Sequence, residues 1–310
     1  PYLFYHFTLT LPTLIFTTGI TLFMKGIIKN KAISSIILLA FLYIEIAYGK
    51  NILHGSIDLF ASSLPNTFSD ITGFSGLNLY LLQRLSFFLW GFGFILFGIF
   101  FLNRLPNSKR QQSSVSKCGL CIILLGFIPT WTFISTFTQQ KKERDQMRHV
   151  FAQYENTPKI SIGKHEIQFE QKDKKYFATS KITILNSLEQ PLDSVILYLN
   201  PGLNVTRLSE NNIPLNFHRK QQVITIRQIL QPREIRTFEI QYEGTINPAI
   251  CYAEITNLDS LAISRNYGIF NLGKDFYYLQ TNFTLLTPEC LWYPNALPPV
   301  NLLSPYIVSQ

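Results

Sequence analysis

The chain carries five histidines, His6, His54, His149, His165 and His218. None opens an H-E-x-x-H, the spacing that sets two zinc ligands on one helix face beside a glutamate base. His165-Glu166 starts the pattern, but Ile167, Gln168 and Phe169 follow and end it. The sequence has no G-x-S-x-G nucleophile turn and no Gly-rich phosphate loop. We therefore assign no catalytic residue and no metal ligand. The chemistry that remains is one carboxylate inside an apolar run, Glu45, and four cysteines. A carboxylate within a membrane is costly and marks a functional candidate. Glu45 sits near the end of its run, so reaching the interface or packing between helices is the alternative. Cys118-x-x-Cys121 lacks the βαβ surroundings of a redox pair and reads as packing residues. Cys251 and Cys290 would be a disulfide in an oxidising compartment, or else two buried free thiols. Asn204-Val-Thr and Asn282-Phe-Thr match the glycosylation pattern, which needs a secretory context to matter.

The elements that would position these residues fall into two halves. A helix needs roughly 20 apolar residues to cross a bilayer, and four runs approach that length. Leu3–Met24, Leu85–Leu102 and Gly119–Phe137 contain no Asp, Glu, Lys or Arg, and Ala32–Tyr48 contains only Glu45. Pro129 predicts a kink in the last. Residues 1–138 thus read as a membrane α-helical bundle of about four transmembrane helices (3–24, 32–48, 85–102, 119–137). Within 49–84, Ile52, Ile57, Leu59, Phe60 and Leu64 recur at helical spacing and suggest an interfacial hairpin. A polar helical stalk is expected over 139–158.

Two basic connections, Met24–Lys31 and Asn103–Lys117, belong in the cytoplasm by the positive-inside rule. They hold seven Lys and Arg against six on the other side, namely Lys50, Arg84, Lys141, Lys142, Arg144 and Arg148. That margin of one sets the orientation: a multi-pass protein of the inner (cytoplasmic) membrane with its C-terminal half in the periplasm.

From Lys159 the apolar period becomes two, as in Ala178, Ser180, Ile182 and Ile184. Short strands follow at Ser194–Leu199, Val205–Leu208, Ile213–Phe217, Val223–Ile226 and Thr237–Tyr242, with turn residues at 186–187, 200–202, 210–212 and 231–233. Residues 159–310 are expected to be an all-β antiparallel sandwich domain. Composition agrees with two solvents: 47% of residues are hydrophobic and only 15% charged, where an average soluble domain has roughly 25% charged residues. The net charge of +8 is spread out or lies at membrane boundaries, so we expect a lipid bilayer and no nucleic acid as partner. The sequence begins at Pro1 and ends at Gln310 in a Pro-rich stretch, and we expect it to be a piece of a longer chain.

Three phrases carry a resemblance: Leu199-Asn-Pro-Gly-Leu-Asn-Val, Ile240-Gln-Tyr-Glu-Gly-Thr-Ile and Leu286-Thr-Pro-Glu-Cys-Leu-Trp-Tyr-Pro294. Their order resembles the N-terminal β domain of aminopeptidase N-like zinc metallopeptidases over about residues 155–300. Joined to several helices, it resembles an ABC-transporter permease-like membrane region fused to an aminopeptidase-like portion, a type seen in bacteria of the Bacteroides kind. The family's zinc motif and its Gly-x-Met-x-Asn strand are absent here, and its Arg before F-P-C has no match before Trp292-Tyr293-Pro294. The resemblance implies no cofactor in this stretch, with zinc in a domain beyond Gln310. It also implies that a Gln or Glu of the β domain can enter the substrate pocket, for which Gln280 and Glu289 are the candidates.

Three functions follow as expectations. The first is a permease-like transporter component with a noncatalytic extracytoplasmic β domain, energised by a separate ABC ATPase subunit. The second is the anchor and first domain of a membrane-bound zinc aminopeptidase acting on peptides. The third is a membrane-anchored binding module using Tyr267, Phe270, Phe276, Tyr277 and Tyr278.

Overall fold

The computed structural model describes residues 2–50, 52–62, 64, 68–70, 73–74, 76–101, 109–173, 175–253, 277–280 and 283–298. Tyr267, Phe270 and Phe276 of the proposed aromatic patch, Asn282, and residues 103–108 of the second basic connection lie outside these. The chain divides between Gln139 and Gln140 into two compact units.

The first unit is helical. α1 (Tyr2–Tyr5), a π-helical turn (His6–Thr10) and α2 (Leu11–Ile27) follow one another as one apolar helix. α3 spans Lys31–Tyr48, its start capped by the Asn30 side chain, which accepts from the N–H groups of Ala32 and Ile33. α4 spans Leu77–Phe101 and α5 spans Lys109–Tyr154. Among the described residues, four helices are long and apolar enough to cross a membrane. Much of their surface is greasy: Ile36, Leu39 and Ile46 of α3 and Leu124, Ile128 and Trp131 of α5 are all exposed. In water that surface would be costly, and in lipid it is not. α2 and α4 meet backbone to backbone, because a β-carbon on Gly19 would lie 2.3 Å from the Gly91 carbonyl oxygen. Small residues permit such approach between apolar helices.

Four sequence readings need correction here. α4 begins at Leu77, so Gln83 and Arg84, assigned to the hairpin 49–84, lie within an apolar helix. Over residues 52–62 the chain is not a regular helix, although Ile52, Leu53 and Phe60 are exposed. It is irregular, with left-handed backbone at Leu53, His54 and Ala61. Its Leu59 is buried with Phe16 and Phe87, and its Ala61 and Leu64 with Tyr80 and Phe133. Residues 109–117 belong to α5 rather than to a basic loop, and Cys118 and Cys121 are exposed on that helix rather than packed.

The second unit is built on strands. A short hairpin, β1 (Phe68–Ser69) with β2 (Gly73–Phe74), belongs to the first unit. The main strands are β3 (Ser161–Lys172), β4 (Lys175–Leu185), β5 (Val195–Tyr198), β6 (Leu203–Glu210), β7 (Ile213–Pro214), β8 (Phe217–Lys220), β9 (Val223–Ile226) and β10 (Ile235–Gly244). They form two antiparallel sheets, ordered β3-β4-β10-β6-β7 and β5-β9-β8. β11 (Tyr277–Leu279) and β12 (Thr284–Leu286) add a small hairpin. The expected alternation holds on β4, where Tyr176, Ala178, Ser180, Ile182 and Ile184 are buried. The apolar ones join Phe238, Ile240 and Tyr242 of β10 and Val195, Leu197, Val223 and Ile226 of the smaller sheet in one hydrophobic cluster.

The run read as one strand over Ile213–Phe217 is two. β7 ends at Pro214 and β8 starts at Phe217 in the other sheet. Leu215 N–H still donates to the Leu208 carbonyl (2.9 Å), and the chain crosses to the other sheet between Leu215 and Phe217. The residues read as a polar stalk are the last turns of α5, and they do carry an apolar stripe. Met147, Val150, Phe151 and Tyr154 recur at i, i+3, i+4, i+7 and pack into the β cluster.

Candidate functional site

Glu45 lies inside the helical unit, 4% exposed, and its carboxylate accepts the N–H of Leu59. From α4, Arg84 donates to the carbonyls of Leu59 (2.7 Å) and Asp58 (2.6 Å) and to Gln83 Oε1 (2.7 Å). Gln83 donates in turn to the Gly55 carbonyl, and Thr13 of α2 to that of Leu59 (3.1 Å). Asp58, 2% exposed, turns its own carboxylate onto Phe60 N–H and Ser62 Oγ (3.1 and 3.0 Å). The guanidinium also lies 4.6 Å over the Phe87 ring. Three helices thus satisfy the backbone of the irregular segment 55–60. That is what non-helical chain among apolar helices requires. Two carboxylates and one guanidinium share this buried volume, so the three must compensate one another.

Sequence reasoning found Glu45 but not Asp58, Gln83 or Arg84. The available signal was Leu77-Asn-Leu-Tyr-Leu-Leu-Gln-Arg, whose leucines continue the apolar face of α4 backwards through the polar pair.

In the β unit, the first and third phrases singled out from sequence meet at Asn200, together with Asn247, the residue after the second. Its side chain is fully buried and its amide is saturated. Nδ2 donates to the carbonyls of Cys290 (2.7 Å) and Asn247 (3.1 Å), and Oδ1 accepts from Gly202 N and Asn247 N, both at 2.9 Å. Its backbone N–H donates to Leu291 O (2.9 Å), while Tyr198 and Asn295 exchange both backbone bonds alongside. Arg219 closes the turn from β8, donating to the carbonyls of Asn200 (2.7 Å) and Leu203. Burial pulls that guanidinium down to about 10. Gly202 and Gly244 stand too close for side chains: a β-carbon on Gly202 would meet Thr245 O at 2.1 Å, and Gly244 has φ +147°.

This knot fixes the segment bearing Glu289. Glu289 lies in a 3-10 turn, Pro288–Cys290, entered from β12. Its Oε2 is buried and has no hydrogen-bond partner among the described residues. Gln280 sits at the turn of the β11–β12 hairpin, where its backbone pairs with Phe283 and its carbonyl accepts from Gln171 (2.8 Å). The structure thus puts the two candidates on one hairpin and its exit. Cys251, in the 3-10 turn Pro248–Tyr252, and Cys290 are both buried. The surroundings disfavour negative charge. Burial raises Tyr242 to about 12, and burial together with Tyr242 raises Tyr176 further. Trp292 packs edge-on to Tyr176 and Phe169, and Tyr293 edge-on to His165. Among the described residues no group of three His, Cys, Asp or Glu could hold a metal ion, so these residues do not fit a zinc centre.

No protein-family model matches the chain, and no curated protein does. Solved structures with a weak likeness to it are M1 zinc metallopeptidases. The M1 zinc metallopeptidase from Deinococcus radiodurans aligns with a TM-score of 0.27 and 15% identity over 30% of this chain and 22% of that one. A mutant of it bound to a Tyr-Ser-Ala substrate aligns with a TM-score of 0.26 and 16% identity over 29% and 21%. The chain therefore spans about a fifth of the length of the metallopeptidases it resembles, and the permease-like and Bacteroides-type readings gain nothing from them.

Proposed function

We propose that the chain is a multi-pass protein of the inner membrane whose β unit, a sandwich of the aminopeptidase N-terminal kind, faces the periplasm and binds peptide amino termini without cleaving them. The helices supply the anchor. On the pattern that the three phrases resemble, a zinc-bearing catalytic domain would belong elsewhere in the protein. One observation carries the binding role: Glu289 Oε2, withheld from water and lacking a partner among the described residues. A buried carboxylate oxygen left unpaired is expensive, and an ammonium group would satisfy it in both charge and hydrogen bonding. Gln280, on the adjoining hairpin, would orient the peptide.

Calorimetry on the protein in detergent micelles tests this, with short peptides offered as free amines and as their N-acetyl forms. Binding of the free amines alone, weakened about tenfold or more by Glu289→Gln, is expected, since a charge-assisted bond contributes on the order of 1.5–3 kcal/mol. Equal binding of both forms, or none, overturns the reading. Orientation has its own test in intact cells. A membrane-impermeant maleimide should label a cysteine at Asn211 and spare one at Lys29, and the reverse pattern would put the β unit in the cytoplasm.

A second reading, a permease-like transporter component served by a separate ABC ATPase, draws on the buried Glu45, Asp58 and Arg84. Intramembrane charges of this kind line transport routes as well as holding structure. Photocrosslinking from Lys29 in native membranes should then capture a nucleotide-binding subunit, and its absence would count against the transporter.

A further inference from the structure

The 3-10 turns Pro248–Tyr252 and Pro288–Cys290 lie against each other, and each carries a buried cysteine near its end. Asn200 holds the two turns together, donating at once to Asn247 O, beside the first, and to Cys290 O in the second. The Cys251 thiol hydrogen-bonds to the Cys290 sulfur. A disulfide needs α-carbons within about 7 Å and β-carbons facing one another. Two thiols already in contact, on turns clamped by a shared side chain, are close to that geometry.

We propose that Cys251 and Cys290 are a redox-active pair that closes to a disulfide by exchange with an external disulfide. At rest Cys290 Sγ donates to the Thr287 carbonyl (2.8 Å). On exchange, one of the two cysteines loses its proton, displaces one thiolate from the incoming disulfide and becomes a mixed disulfide. The other then gives up its proton and attacks the first sulfur, the Sγ–Sγ bond forms and the second thiolate leaves. The two cysteines lose two electrons and two protons, and the oxidant becomes two thiols. Both sulfurs are buried, so exchange waits on local opening of the turns, and the closed bond is shielded from reductants. This pair does not depend on whether the β unit binds peptides.

The test uses the whole chain in micelles with Cys118→Ser and Cys121→Ser, both on the exposed face of α5. Oxidised glutathione is added, and the reaction is quenched with acid. The protein is then unfolded, alkylated and digested for mass spectrometry. A peptide linking Cys251 to Cys290 within one chain is expected, and in mixtures of oxidised and reduced glutathione it should survive about tenfold or more reduced glutathione in the folded protein than in urea, because folding raises the effective concentration of one thiol at the other. Recovery of both cysteines alkylated, a stalled glutathione adduct on either cysteine, or links between chains would overturn the proposal. So would equal resistance to reduced glutathione in folded and unfolded protein. The linkage is read on a chain that keeps both cysteines, so the result does not depend on whether a Cys251→Ala chain folds.

Discussion

Glu45 and Arg84 grip the same residue from two helices: Glu45 takes the N–H of Leu59, and Arg84 donates to the Leu59 carbonyl. Their charges also act on one another across that contact. Arg84→Met removes every donor to the Asp58 and Leu59 carbonyls that the guanidinium supplies and strands Glu45 beside Asp58. A loss of about 3–5 kcal/mol is expected, read as a lowered unfolding temperature in micelles. Glu45→Gln keeps an acceptor for Leu59 and should cost less than half as much. If the two variants are equally stable, the guanidinium is not the centre of the network.

Asn200 satisfies two carbonyls and two N–H groups with one amide. Asn200→Ala orphans all four, and at about 1–3 kcal/mol per buried unpaired group the β unit should unfold well below its parent in thermal denaturation. Asn200→Asp keeps the acceptor for Gly202 and Asn247 but loses both donors, and an intermediate stability is expected.

Gly202→Ala would drive a β-carbon to 2.1 Å from the Thr245 carbonyl oxygen, where only backbone movement can relieve it. Destabilisation of about 2–4 kcal/mol is expected. Gly163→Ala is the matched control, because its β-carbon would lie 3.9 Å from Thr183 O, an ordinary contact. Denaturant titration should separate the two clearly, and equal midpoints would mean that the turn at Gly202 gives way.

Burial lowers the pKa of His165, whose ring bonds to Ser180 and lies against Tyr293. The unfolded chain takes up the proton first, near the ordinary value of about 6.5. The stability this histidine contributes is therefore complete above that pH and is lost as pH falls through the lower folded value. Melting temperatures measured from about pH 7.5 downward should begin to drop below about 6.5, and His165→Gln should flatten that early decline. Glu166 and Glu234, held below the usual carboxylate range by Lys164 and by Gln231 N–H with Arg236 respectively, act only at more acid pH. A decline unchanged in His165→Gln would assign the sensitivity elsewhere.

Regular pattern was readable in the sequence, and irregular backbone was not. The alternation on β4 and the apolar runs of the helices announce themselves because one face, or the whole surface, meets a single environment. Arg84 escaped because a charge ends an apolar run in any count of residues, even where, as here, the protein supplies its partners. The stripe Met147, Val150, Phe151, Tyr154 escaped because charged residues around it swamp the average, though its spacing is helical. The segment 52–64 looked helical from spacing alone, and nothing local shows that Glu45 and Arg84, distant in sequence, would satisfy its backbone. Asn200 read as a turn residue, which it is, but its four partners come from chain up to 90 positions away.

That span sets an order for assembly during synthesis. Asn200 can bond Asn247 once β10 has paired with β6, but its bond to Cys290 needs chain made later still. Contacts so far apart in sequence form late, because loop closure comes before their reward. A nascent chain that has emerged only as far as Asn247 carries Asn200 with one donor unmet and the edge of its turn open. The turn that follows β12 is thus the latch of this unit, and translational pausing just before Leu286 would prolong the interval in which the unfinished sheet is exposed to chaperones and proteases.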